Sequence, residues 1–160
     1  MVTDIDLEHL NRCVELAGKA LEAGDSPFGS VLVSKDGKVL YEDHNHIITT
    51  GDSTRHPEFN IARWAAANLS PDERASATVY TSGEHCPMCA AAHGWVGLGR
   101  IVYASSAEQL AKWRRDMGAP ESPVQMIPIQ KIVPNVEVDG PVADLAEKIH
   151  ELHKKFNKRC

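Results

Sequence analysis

Ala77-Thr78-Val79-Tyr80-Thr81 and Arg100-Ile101-Val102-Tyr103-Ala104 bracket the run Pro87-Met88-Cys89-Ala90-Ala91-Ala92-His93-Gly94-Trp95-Val96. The outer segments are rich in β-branched and aromatic residues and read as strands. The inner run is built mainly of small residues, opens on a proline and closes at Gly97 and Gly99, which reads as a helix. The rest of the chain extends this strand–helix–strand unit on both sides. Upstream, Leu7, Leu10, Val14, Leu16-Ala17 and Leu21 recur at threes and fours, so a helix opens the chain. Thr3 with Asp6 resembles a capping box, and Gly24 is a stop signal. A strand over 28–34 turns at Asp36-Gly37 into a second strand over 38–43. Residues 44–55 form a polar loop suited to carrying function. A helix follows from Pro57 to about Asn68 and ends at Ser70-Pro71.

Downstream, Ser106 caps a helix to about Arg115, and the stretch 125–129 reads as a fifth strand that Pro128 assigns to a sheet edge. Pro141 starts a final helix over about 141–158, with Val142, Leu145, Ile149, Leu152 and Phe156 on one face. The order α-β-β-α-β-α-β-α-β-α predicts one α/β domain over 1–160. Its expected form is a three-layer α-β-α sandwich around a five-stranded mixed sheet.

The 160 residues are 42% hydrophobic and 24% charged, inside the range of ordinary globular chains, which excludes disorder and fibrous repeats. A chain of this size buries about 70% of its unfolded surface and folds without disulfide staples. Its apolar stretches are broken well short of the ~20 residues a bilayer span needs. The acidic start, Met1 to Asp6, reads as neither a secretory signal nor a transit peptide. The expectation is a cytoplasmic protein with no membrane partner. A net charge of −5 argues against an extended phosphate-binding surface. Residues 148–160 carry five basic side chains against Glu151 alone, a local +4 that leaves −9 on the remainder. That cluster suits the macrodipole of the last helix, and nucleic-acid contact is the competing reading.

The chemistry concentrates in His56-Pro57-Glu58 and, thirty residues on, Cys86-Pro87-Met88-Cys89. Proline at the first helical position would make His56 and Cys86 the caps of two helices. Two such N-termini, each with partial positive charge and unpaired N–H groups, favour the thiolates that zinc requires. One His and two Cys neutralise a divalent ion and leave the fourth tetrahedral position to water, the pattern of a catalytic rather than a structural site. Glu58 lies two residues from His56, placed to exchange protons with that water rather than to bind the metal. Two alternatives stand beside this. His93, on the same helix face as Cys89, is the candidate fourth ligand of a closed structural zinc site, although the metal would then sit a full turn along the helix. A redox-active Cys-x-x-Cys is the other. His9, His150 and His153 read as solvated residues on amphipathic helices, while His44 and His46 are loop residues near the site.

His56-x-Glu58 with Cys86-x-x-Cys89 resembles the zinc signature of the cytidine/nucleoside deaminase superfamily. The segment from Ser26 to Val33 resembles that family's first strand, and Asn45 with Asp52-x-Thr54-x-His56 its pre-helix loop. The likeness covers roughly residues 5–105. It implies one zinc ion per chain held by His56, Cys86 and Cys89, with Glu58 as the proton carrier of a hydrolytic deamination, and a homodimer. Two positions depart from the usual pattern: Pro57 stands where the family has Ala, and His85 where it has Pro.

Within the superfamily the chain looks most like the bacterial guanine deaminase type, which acts on free bases, because Trp95 falls six residues after Cys89. Phe28 and Trp95 would bracket a planar base by stacking, with ordinary helix core as the alternative for Trp95. By the resemblance, Asn45 would hydrogen-bond the base. The substrate expected is a small heterocycle of guanine, cytosine or isocytosine type. In the tRNA-editing branch the position of Trp95 is commonly His and the surface more basic, and both features point away from tRNA; an RNA-editing deaminase, supported by the basic C-terminal helix alone, is the alternative. Residues 107–120 do not reproduce the acidic loop associated with guanine deaminases.

Overall fold

The structure is a computed structural model and describes residues 1–159. Its elements are α1 (Asp4–Ala23), β1 (Gly29–Val33), β2 (Val39–His44), α2 (Ile47–Thr50), α3 (Pro57–Asn68), α4 (Pro71–Ser76), β3 (Thr78–Gly83), α5 (Pro87–Val96), β4 (Ile101–Ser105), α6 (Ala107–Asp116), a 3-10 turn (Ile129–Lys131), β5 (Val138–Asp139) and α7 (Ala143–Arg159). The strands form one sheet in the order β2-β1-β3-β4-β5. The β1–β2 and β1–β3 pairs are antiparallel, while β3–β4 and β4–β5 are parallel. The mixed sheet and its α/β class are as expected.

Each face of the sheet has its own core. On one, Leu10, Leu16, Val31, Val102, Trp113 and Ile149 pack α1, α6 and α7 against the strands. On the other, Leu32, Ile61, Ala65, Val79, Ala90 and Ile101 do the same for α3 and α5. The unbroken burial of β1 and β4 follows from helices on both sides. Burial of this kind stabilises by roughly 25 cal/mol per Å² of apolar surface, so these cores set the rigidity of the strand ends that carry the site. Gly29 permits a close approach of α1 to the sheet: a Cβ there would collide with Leu16 and the Cys13 carbonyl of α1.

One buried ion cluster ties α1 to the far edge of the sheet. Arg100 donates through Nη1 and Nη2 to the two Asp6 carboxylate oxygens (2.9 and 3.0 Å), and through Nε and Nη2 to Asp139 Oδ2 (2.9 and 2.7 Å). Tyr80 donates its hydroxyl to Asp6 Oδ1 at 2.7 Å. Burial opposes ionisation of Asp6, but the guanidinium and the Thr3 N–H hold its carboxyl far below the usual range. The Thr3–Asp6 capping box read from the sequence is present.

Several expectations are corrected. The fifth strand is not 125–129: Pro128 offers no N–H, and Ile129 donates its own to Glu84 Oε2 (3.0 Å) before the chain curls into the 3-10 turn. The edge instead comes from Val138–Asp139, opposite Ile101 and Val102. The last helix begins at Ala143 rather than Pro141, because the Val142 N–H is spent on the Ala104 carbonyl. Gly140 is needed just before it, at φ +117 and pressed against Tyr103. Ser70 does more than end α3. It caps α4 in a second capping box with Glu73. His153 is not a solvated residue: it is buried edge-on to Phe28, with ring centroids 5.0 Å apart. His150 stacks on Trp113.

Candidate active site

Two helix starts build the site. Pro57 and Pro87 occupy first-turn positions of α3 and α5, with His56 and Cys86 as extended-backbone caps whose side chains make no capping bond. A capping side chain would normally turn back onto its own helix. These two instead point at each other, and Cys89, one turn into α5, joins them. His56 Nδ1 lies 3.5 Å from both sulfurs, which are 3.6 Å apart. Zinc bonded to sulfur at ~2.3 Å and nitrogen at ~2.0 Å in a tetrahedron would set ligand separations of roughly 3.5–3.8 Å. The three side chains therefore fit a zinc ion without rearrangement, and among the described residues they form the group able to hold one.

The thiols share their charge unevenly. A hydrogen bond from Cys89, aided by His56, pulls the Cys86 thiol down to about 4 even though burial opposes it. Cys89 is pushed well up by the same contact with Cys86 and by its own burial. A metal ion needing two thiolates must displace the Cys89 proton.

Glu58 is 5% exposed and sits beside the ligands, with Oε2 3.7 Å from Cys89 Sγ. Burial pushes its carboxyl above the usual range, against the pull of His56. A relay from the sheet orients it: Ser30 Oγ donates to Thr81 Oγ1 (2.8 Å), which lies 3.0 Å from Glu58 Oε1. Such a carboxyl can take up and return a proton.

A cavity of about 370 Å³ opens over His56, Glu58 and Cys86. Phe28 and Asn45 line it. Asn45 Oδ1 accepts from the Ile47 N–H (2.9 Å), which leaves the side-chain NH2 as the donor toward the cavity. Trp95 does not line it. It is 91% exposed, neither a stacking partner of Phe28 in this chain nor helix core. The reason is helical geometry: six residues on from Cys89 is about 120° around α5 from the buried face. His93 is also elsewhere, with Nε2 2.8 Å from the Gly99 carbonyl oxygen, so it is not a fourth ligand. His85 packs edge-on against His93 at 5.3 Å and does not reach the cavity. His44 and His46 stack on each other beside Asp43, outside the cavity.

Sequence reasoning missed Thr81, Glu84, Leu110, Arg114 and Met126. A carboxylate at a strand end two residues before Cys86 was a legible signal for Glu84. It accepts the N–H groups of Ala107 (3.3 Å) and Ile129 (3.0 Å), pinning the chain beyond β4 to the site. No local pattern marks the others: Leu110, Arg114 and Met126 arrive at the cavity through packing, and Thr81 lies buried behind Glu58.

Residues 3–105 match the cytidine and deoxycytidylate deaminase zinc-binding region. The chain is 36% identical over 104 residues to guanine deaminase of Bacillus subtilis, covering 64% of this chain and 66% of that enzyme. It is 29% identical over 117 residues to a probable cytosine deaminase of Schizosaccharomyces pombe (73% and 70%). With the tRNA-specific adenosine deaminase of Haemophilus influenzae it shares 32% over 104 residues (65% and 60%). The chain thus spans about two thirds of the length of these relatives. The X-ray structure of the Bacillus subtilis guanine deaminase superposes with a TM-score of 0.58 at 29% identity, over 79% of this chain and 88% of that one. By its matched segment and its His–Cys–Cys metal site, the chain belongs to the zinc-binding cytidine and deoxycytidylate deaminase family.

Proposed function

We propose that this protein hydrolyses the exocyclic amine of a small heterocyclic base, exchanging C–NH2 for C=O with release of ammonia. The observation that carries this is Glu58: a buried carboxyl beside three zinc-spaced ligands, opening on the cavity that Phe28 and Asn45 line. His56, Cys86 and Cys89 would hold the zinc ion, which would supply Lewis acidity to the reaction.

The chain's own residues do the rest. Phe28 offers an aromatic face to the ring, and the Asn45 amide a donor to a ring nitrogen or carbonyl. Glu58 takes a proton from water as its oxygen bonds to the reacting carbon and passes that proton to the adjacent ring nitrogen; it then takes the second proton from the added hydroxyl, as C=O forms and the C–N bond breaks, and gives it to the departing ammonia. Thr81 keeps the carboxyl oriented through these transfers. Apolar walls from Phe28, Met88 and Leu110 exclude bulk water, which strengthens each polar contact inside.

Free bases of guanine, cytosine or isocytosine type are the substrates this reading favours. Support comes from the size of the cavity, the net charge of −5 and the guanine and cytosine deaminase relatives. Ammonia release from a panel of free bases, nucleosides and an anticodon stem-loop tests it, with Glu58→Ala as control. Release from a base and none from RNA is expected. Turnover of the stem-loop alone would replace this reading with RNA editing.

A further inference from the structure

The cavity holds one cation that the reaction above does not use. Arg114, in the last turn of α6, lines the wall that also includes Leu110 and Met126. One of its N–H groups, on Nη2, donates to the Pro120 carbonyl (2.6 Å), which fixes the side chain against the loop after α6. Guanidinium carries five donors, so four remain. Among the described residues no carboxylate forms an ion pair with Arg114. Glu84, the other acid on this wall, has both oxygens engaged by backbone N–H groups. Glu58 serves the proton transfers. The neighbouring side chain His153 is held neutral by burial first and by the Arg114 charge second, with its pKa pushed down to about 4.

A half-buried guanidinium without a counterion, in a largely apolar cavity of a chain with net charge −5, is an anion subsite. Its planar fork matches the geometry of carboxylate and phosphate. We infer that Arg114 is a specificity residue and that the substrate is an amino-heterocycle bearing an anionic substituent, a carboxylate or a phosphate. This rests on the deaminase reading and narrows it. Ser122, exposed on the same wall, adds a hydroxyl at the rim.

The purely structural role of Arg114, tethering Pro120, predicts no discrimination among substrates. The test is therefore a ratio. Ammonia release is measured for guanine, for the neutral parents cytosine, pterin, cytidine and guanosine, for the carboxylates 5-carboxycytosine and pterin-6-carboxylate, and for the 5′-monophosphates of cytidine and guanosine. With the zinc-loaded protein, at least one anionic compound is expected to exceed its neutral parent tenfold or more in kcat/KM, chiefly through KM. The carboxylate and phosphate arms show which anion is read. Arg114→Gln should bring the ratio to about one, and Arg114→Lys, which keeps charge but loses the fork, should restore part of it. The preference should also weaken as salt is raised. Release from neutral bases with no anionic preference overturns this assignment and leaves the deaminase reading standing, as does a preference that survives in Arg114→Gln. Release from no compound overturns both.

Discussion

Residues 3–105 and residues 106–159 meet at one cavity but contribute different things to it. The first segment brings the ligands, Glu58 and the Thr81 relay, all mounted at the ends of buried strands or on the first turns of helices. The second brings Leu110, Arg114 and Met126, the Glu84-tethered turn at Ile129, and α7, whose His153 backs Phe28. The family match stops where the first segment ends. Groups that exchange protons or bind a metal tolerate displacements of only a few tenths of an ångström, so they sit on rigid elements. A substrate wall needs shape more than precision, and here α6 (Leu110, Arg114) and the loop after it (Met126) supply it.

That contrast can be broken from either side. Glu58→Ala should cost about 10²–10⁴ in kcat while zinc content, read by elemental analysis, stays at one per chain. Near-normal turnover would remove the chemistry from the first segment. Asp6→Asn removes one of the two carboxylates that hold Arg100, leaving Asp139, and should destabilise by about 1–3 kcal/mol in urea melts, with kcat unchanged at low temperature. Because Asp6 is held below its ordinary pKa, its contribution is complete above pH ~4 and is lost as pH falls through the depressed value. A flat acid limb in the native protein would contradict the cluster.

Zinc uptake offers a third probe. With the Cys89 thiol pushed up, binding must release its proton, so affinity should fall about tenfold for each unit that pH drops, and more steeply once His56, whose pKa is also raised, takes up a proton that zinc must displace. Calorimetry in buffers of different ionisation enthalpy counts the protons. Glu84→Gln loosens the second segment from the first. KM should rise several-fold with kcat within twofold, and stability should fall by about 1–2 kcal/mol. A collapse of kcat instead would place Glu84 in the chemistry. The smallest effect belongs to Trp95→Ser, expected within about 0.5 kcal/mol and twofold in KM, since the side chain is exposed away from the cavity.

The helix caps, the metal ligands and the strand–helix–strand unit were legible because each depends on neighbours within a few residues. Proline after His56 and after Cys86 marks a helix start wherever the chain goes, and a His with a Cys-x-x-Cys pair states its ligand chemistry in its side chains. Asn45 was placed by resemblance and Phe28 by its aromatic face, and both line the cavity. The failures share a cause as well. Stretch 125–129 has the residues of a strand, yet Glu84, distant in sequence, claims the Ile129 N–H. His153 looks solvated on its helix wheel until Phe28 and Trp113 cover it.

The amino-acid sequence by itself determined the α/β class, the two capped helices and the donor set for zinc, since local spacing and side-chain chemistry suffice for these. Only the tertiary structure decided that Trp95 faces out, that His93 turns to Gly99, and that Arg114 reaches the cavity. Those outcomes depend on which surfaces of separate elements come together, and burial against a distant partner outweighs the preference of any short stretch read alone.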